Sequence, residues 1–391
     1  RRDFKVVKSL LEANKLEYYK LTDSLKPAGG KSLTTLSFYN ERISAHYNSL
    51  LSLLRSWGER IDQKLSRKIA SELIKKHYGD GEEIRWVEIP EDYQLKSYQQ
   101  YDGGIALLPY DSSSPEITAK ISSLYKILSG DLFDTTAIKW YFYKILENSN
   151  ITAEDAAASL WGLAAQNEPV LIDIQNLLKA DIKPDMHSDE QININMGIKE
   201  KLYLGLALAE LGSLNEARDV YTNIIKQHGV INSQYAYIDS KAGRDDTIEL
   251  TSLCSVLGAK INAPEKDGLF KYVQENSTRY ILSNPERLIY VAHMTSDIAS
   301  GTTGTTGSFT VEVNGRKENV LLDKNKVFKL VLTPEALQNI KFSNVTGDIA
   351  VTSSYTGPIT DFAENTNELV RIKRTYSVDG VTQSAFNQSQ L

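Results

Sequence analysis

Gln100–Lys120 reads QYDGGIALLPYDSSSPEITAK, and its order of residue types decides the reading of the chain. Asp102-Gly103-Gly104 forces a tight turn, because glycine reaches positive φ without steric cost. A short apolar run follows, then a polar loop ending Ser112-Ser113-Ser114-Pro115-Glu116. Ser114 suits an N-cap and Pro115 suits a first helical position, so an amphipathic helix is expected from there. Turn, apolar run and capped helix fit a barrel of paired helices whose loops at one end carry the turn.

Working outward, residues up to about 285 read as helices with short loops. Leu50, Leu51, Leu53 and Leu54 run into Ile61, Leu65, Ile69 and Leu73 at helical spacing. Ile138–Leu146, Ala156–Ala165 and Val170–Ala180 are further helical segments. Lys201–Leu211 and Leu214–Gln227 form a pair broken at Gly212-Ser213, with the look of one tetratricopeptide repeat. A single copy cannot bury its own face, so it is one hairpin of a larger array. Ile248–Ile261 and Lys271–Ser283 continue that array. Ser300–Gly307 is a small-residue stretch, expected to be a flexible loop or hairpin tip.

After that stretch the period switches to two. Phe309, Val311 and Val313 alternate with Thr310 and Glu312, and Asn314-Gly315 is a hairpin signal. Val320–Leu322, Val327–Leu332 and Ile349–Ser353 read as strands, and Gly357-Pro358 closes the block. Leu369–Tyr376 followed by Asp379-Gly380 starts another hairpin. The chain begins at Arg1 and stops in a strand-like segment, so it reads as a piece of a longer protein.

The 391 residues suffice for one to three domains, and 41% hydrophobic with 24% charged residues is ordinary for a globular protein. The net charge of −6 argues against a nucleic-acid partner, which needs a concentrated basic surface. The basic pairs Arg67-Lys68 and Lys75-Lys76 read as a solvated helix face. No apolar run is long enough to span a membrane and no signal peptide is present.

Candidate chemistry is sparse. His46, His77, His187, His228 and His293 show no metal-ligand spacing, and one cysteine excludes a cysteine zinc site. No nucleophile elbow or Walker loop occurs. Asp245-Asp246-Thr247 resembles part of the Asp-x-Asp-Asp acid of paired-helix terpene cyclases, but Gly243 stands in the first position. The simpler reading is that Asp246 or Thr247 caps the helix Ile248–Ile261. Cys254 lies in Leu250–Leu257, an apolar helix, and reads as a buried, inert thiol. Catalytic, cofactor-binding and metal-binding residues are all expected to be absent.

The DGG element, its weaker echo at Asp246-Thr247-Ile-Glu-Leu-Thr251, the small β block ending Val351–Pro358 and the closing segment Leu369–Gly380 occur in a fixed order. That order resembles the C-terminal part of bacterial alpha-2-macroglobulin-like proteins. The resemblance implies an α/α toroid of antiparallel helix pairs of the thioester-domain type, then an antiparallel β-sandwich-like region of CUB and macroglobulin type. It places the toroid at 1–285, the CUB-like remainder at 286–360 and the first strands of a further macroglobulin domain at 361–391. Active members of that family carry Cys-x-Glu-Gln near the start of the toroid. Here Cys254 lies far from that place and Leu257 stands three residues on, so no thioester is expected.

The resemblance therefore implies a non-enzymatic, extracellular or cell-surface module of protease trapping and inhibition or surface defence, without covalent capture, whose partners are proteases or other proteins. The alternative is an α/α-barrel enzyme acting on a polysaccharide or isoprenoid. It would need convergent carboxylates in an aromatic-lined pocket. No such pair can be placed from the sequence alone.

Overall fold

The structure is a computed structural model. It describes residues 2–11, 19–20, 33–78, 84, 87–125, 127, 131–182, 196–232, 235–278, 280–299, 306–323, 327–347, 349–358, 376–378 and 381–383. The chain divides into two compact units. One comprises residues 1–38, 308–321 and 327–391; the other comprises 39–307 and 322–326. In sequence the helical unit thus interrupts the β unit.

The helical unit contains α1 (Glu41–Leu54), α2 (Ile61–Tyr78), α3 (Asp92–Lys96), α4 (Pro115–Leu124), α5 (Thr135–Leu146) and α6 (Ala153–Ala165). It continues with α7 (Leu171–Ile182), α8 (Ile198–Glu210), α9 (Leu214–His228), α10 (Arg244–Lys260), α11 (Lys266–Asn276) and α12 (Asn284–Ala299). Two kinds of helix alternate. In α4, α6 and α10 nearly every residue after the first turn is buried, whereas α5, α9 and α11 bury one stripe. Helices buried all round belong inside, and one-faced helices form an outer layer. The contacts agree: α4 packs on α6, α6 on α8, α8 on α10, α10 on α12 and α12 back on α4. Small residues allow close approach. A Cβ at Gly162 of α6 would lie 2.1 Å from Cζ of Phe142 on α5, and one at Gly205 of α8 would lie 2.8 Å from Leu257 of α10.

The β unit holds β1 (Arg2–Leu11), β2 (Tyr19–Lys20), β3 (Thr34–Asn40), β6 (Thr306–Val313), β7 (Arg316–Asp323), β8 (Phe328–Leu332), α13 (Pro334–Asn339), β9 (Lys341–Thr346) and β10 (Ile349–Pro358). The short β4 (Gly229–Ile231) and β5 (Ala236–Ile238) pair within the helical unit. One sheet has the order β1-β10-β3-β8 and the other β2-β9-β6-β7. Phe38 of the first sheet lies 4.9 Å from Phe309 and 5.4 Å from Phe342 of the second, centroid to centroid. All three rings are buried. Asn314 and Gly315 adopt φ of 50° and 78°, as a two-residue hairpin turn with both central residues left-handed requires.

Several expectations are corrected. The described residues before Glu41 are not part of the helical array: β1 pairs antiparallel with β10, Arg2 opposite Pro358, and β3 pairs with β8. Their partners lie some three hundred residues away, which a local reading does not see. The helical unit extends past 285, because α12 runs to Ala299. The stripe from Leu50 to Leu73 is two helices, broken at residues 55–60. The last strand of the block is longer than Ile349–Ser353: β10 continues to Gly357-Pro358, the expected close of the block. β11 (Tyr376–Val378) and β12 (Val381–Gln383) form the last hairpin, while residues 369–375 and 379–380 of that expectation lie outside the described residues. So do residues 300–305 of the small-residue stretch and His187.

Candidate functional site

The DGG turn is built as its residue types demand. Gly103 has φ of +92°, and a Cβ there would lie 2.2 Å from the Ala137 carbonyl oxygen. The Asp102 carboxylate accepts from the Gly104 N–H at 3.0 Å and the Ser113 hydroxyl at 2.7 Å, tying the turn to the helix start. Ser114 Oγ accepts from the Ile117 N–H, as an N-cap does. The buried Ile105 N–H donates to Thr118 Oγ1 at 2.8 Å, and that hydroxyl donates to the Ser114 carbonyl at 2.7 Å.

The echo at the start of α10 is structural as well. Ile238 N–H donates to Thr251 Oγ1 at 3.0 Å, and Thr251 Oγ1 donates to the Thr247 carbonyl at 2.5 Å. The expected cap is corrected, however. α10 starts at Arg244, so neither Asp246 nor Thr247 caps it; Thr247 Oγ1 instead lies 3.0 Å from Ser240 Oγ, whose oxygen accepts from the Ala242 N–H. Asp245 and Asp246 are exposed in the first turn, where carboxylates favour the positive helix end.

The elements converge on a cluster of charges that the sequence did not single out. Glu116 is the second residue of α4, Glu154 of α6 and Lys199 of α8, and Glu286 is the third of α12. Glu249 comes from α10 and Lys120 from α4. Lys120 Nζ, with a fully buried side chain, lies 2.8 Å from Glu116, 3.2 Å from Glu249 and 3.1 Å from Glu286. Lys199 Nζ lies 2.8 Å from Glu154, 3.1 Å from Glu249 and 3.2 Å from Glu116.

Charge balance explains how four carboxylates remain together. Their −4 is met by +2 from the lysines, leaving −2. Four helix N-termini, each worth roughly +0.5 of a charge, supply about the remainder. Burial pushes the Glu116 carboxyl up, but the ammoniums of Lys120 and Lys199 outweigh it and hold the group well below the usual range. Burial likewise opposes the charge on Lys120, and its three carboxylates outweigh it, raising its pKa. Glu286 goes the other way: burial dominates and pushes its carboxyl up despite Lys120. Tyr203 of α8 is stacked on Trp161 of α6 at 5.4 Å, and its buried hydroxyl has no hydrogen-bond partner among the described residues. In the sequence each of these carboxylates looks like an ordinary first-turn residue. The signal was a glutamate near the start of α4, α6 and α12, with Lys199 in that place on α8 and Glu249 at the sixth residue of α10.

A second cluster sits where α2 begins. Arg60 clamps Asp62 through Nε and Nη2 at 2.9 and 2.8 Å and donates to the Tyr280 carbonyl. Asn284 Nδ2 donates to the same carboxylate at 3.0 Å. Gln63 Oε1 accepts from the Arg60 N–H, so its carboxamide folds back onto residue 60. Gly58, with φ of +137°, leaves the room: a Cβ there would lie 1.9 Å from Gln63 Oε1.

Cys254 is fully buried in α10, and burial pushes its thiol far up. His46 of α1 is buried beside Phe270 and Tyr290; burial pulls its pKa down to about 4, against a smaller opposing effect of Asp267. Among the described residues no group of side chains is placed to hold a metal ion, and no helix is long and apolar enough to cross a membrane. A cavity of about 720 Å³ lies between α7, α8 and α9, walled by Leu178, Ile198, Val220 and Ile224.

No protein-family model matches the sequence, and no curated protein matches it. Solved structures do match in fold. Native alpha-2-macroglobulin from Escherichia coli, spanning domain MG7 to the C-terminus, aligns over 91% of this chain with a TM-score of 0.52 at 12% identity. The fold resembles that of bacterial alpha-2-macroglobulins. The native E. coli protein seen by cryo-electron microscopy aligns over 92% of the chain (TM-score 0.51, 13% identity). Salmonella alpha-2-macroglobulin reacted with methylamine aligns over 91% (TM-score 0.50, 13% identity). This chain spans 57% of the first of these structures, 23% of the second and 24% of the third.

Proposed function

We propose that the chain is a non-enzymatic portion of a bacterial macroglobulin-like protein, acting at the cell surface or outside the cell. It engages proteases or other proteins without covalent thioester capture. In this reading the closed cycle of α4, α6, α8, α10 and α12 is an α/α toroid of the thioester-domain type. The two four-stranded sheets are a CUB-like sandwich split by that toroid. The observation that carries the reading is this interrupted order of parts, shared in fold with the E. coli structure from MG7 to the C-terminus.

The start of α2 supports the non-covalent half. In this reading Arg60-Ile-Asp-Gln63, which keeps a glutamine three residues on, takes the place of the family's Cys-x-Glu-Gln, with an arginine bound to Asp62 instead of the cysteine. The convergent carboxylates at the ring centre are what the enzyme alternative asks for. Yet the fully buried side chain of Lys120 fills the space between them and ion-pairs with three of them, which favours a structural role.

The test uses the full-length parent with serine proteases of broad specificity. The parent should slow cleavage of a large protein substrate more than that of a small peptide, and should form no covalent adduct with the protease. Unchanged activity on both substrates, with every protease tried, would remove the inhibitor reading. A protease adduct stable in denaturant would remove the non-covalent one.

A further inference from the structure

Lys120 is more than one member of a charge network, because carboxylates from three helices converge on its ammonium. Glu116, Glu249 and Glu286 come from three different helices, α4, α10 and α12, and meet at one ammonium. Three acceptors match the three N–H bonds of a primary ammonium group. We propose that the centre of the helical ring is a preformed receptor for a primary ammonium, filled in this chain by the side chain of Lys120.

Two further observations point to recognition at this place. Nζ lies 3.1 Å from Glu286 Oε1 as an ion pair, and among the described residues neither oxygen of this buried carboxylate has a hydrogen-bond partner. The Tyr203 hydroxyl is buried and unpartnered too, and Glu116, Glu249, Glu286 and Glu154 are the carboxylates that act on it electrostatically. These groups favour a compact cation with several N–H donors. They do not form a metal site. α10 has the same Thr and Glu framework as α4, yet carries Leu253 at the position of Lys120.

Lys120→Ala removes Cγ, Cδ, Cε and Nζ, the heavy atoms of propylammonium. The variant should lose thermal stability relative to the natural chain. Millimolar propylammonium chloride should raise its melting midpoint saturably, and equal sodium chloride should not. The natural chain and Lys120→Met, whose apolar side chain fills the space, should not respond to the amine. If Lys120→Ala does not fold alone, refolding in propylammonium against refolding in sodium chloride gives the same comparison. Recovery of folded protein only with the amine supports the receptor. No recovery with either salt, or an equal rise of midpoint in all three proteins, overturns it.

Discussion

α4 and α10 are built to one plan and differ in one decisive side chain. Both place a threonine that takes a buried isoleucine N–H thirteen residues upstream, Ile105 to Thr118 and Ile238 to Thr251. Both place a glutamate two residues before that threonine, Glu116 and Glu249, and both bury a serine one turn further on, Ser122 and Ser255. Two residues after the threonine they part: Lys120 in α4, Leu253 in α10. The leucine adds to the core. The lysine brings an ammonium into a site walled by carboxylates from three helices. The shared plan therefore sets the loop and helix geometry, and the single difference sets the electrostatics of the centre.

The comparison can be broken most severely at Lys120. Lys120→Met leaves Glu286 buried without a counter-charge and should cost about 3–5 kcal/mol, read from urea denaturation. Adding Glu286→Gln should recover part of that loss, because it removes the charge left stranded. Equal stability of the natural chain and Lys120→Met would mean that the ammonium contributes nothing.

His46 is the contrasting case, a buried titratable group with no hydrogen-bond partner at Nδ1 among the described residues. Its folded pKa of about 4 lies below the unfolded value, so the unfolded chain binds the extra proton first. Stability is then fully present above pH ~6.5 and falls as pH drops towards 4, by about 3 kcal/mol at pH 4 from this group. His46→Phe should flatten that part of the stability profile. A profile identical to that of the natural chain would contradict the assignment.

Thr118→Val and Thr251→Val sharpen the shared half of the plan. Each strands one buried isoleucine N–H and should cost about 1–3 kcal/mol, by similar amounts. Markedly unequal costs would show that the two copies share a sequence pattern without sharing a structural role. The smallest effect is expected at the exposed pair Asp245 and Asp246. Changing either to asparagine should alter stability by no more than about 1 kcal/mol, through the helix end alone, with a midpoint shift as the readout.

The sequence made legible what is locally encoded. Ser114-Pro115 announced the start of α4. Gly212, with φ of +80°, marked the break between α8 and α9, and Asn314-Gly315 marked a hairpin. The strands β1 and β3 were missed because their hydrogen-bonding partners are β10 and β8, at the far end of the chain. β3 does show strict alternation of burial along Thr34–Asn40, but a seven-residue strand without a neighbouring partner carries little local signal. The early start of α10 was missed because Arg244-Asp245-Asp246 tolerate both a loop and a first turn. The charge cluster was illegible for another reason. A glutamate in a first turn is expected on dipole grounds alone, and only the cycle of helices shows that these glutamates face one another.

The central claim is that the ring closes around the ammonium of Lys120, and amine acetylation of the folded chain tests it most directly. Acetic anhydride should modify Lys317, whose side chain is 70% exposed, and leave Lys120 untouched until the protein is unfolded, as mapped by peptide mass. Acetylation of Lys120 in the folded protein at a rate like that of Lys317 would contradict the account.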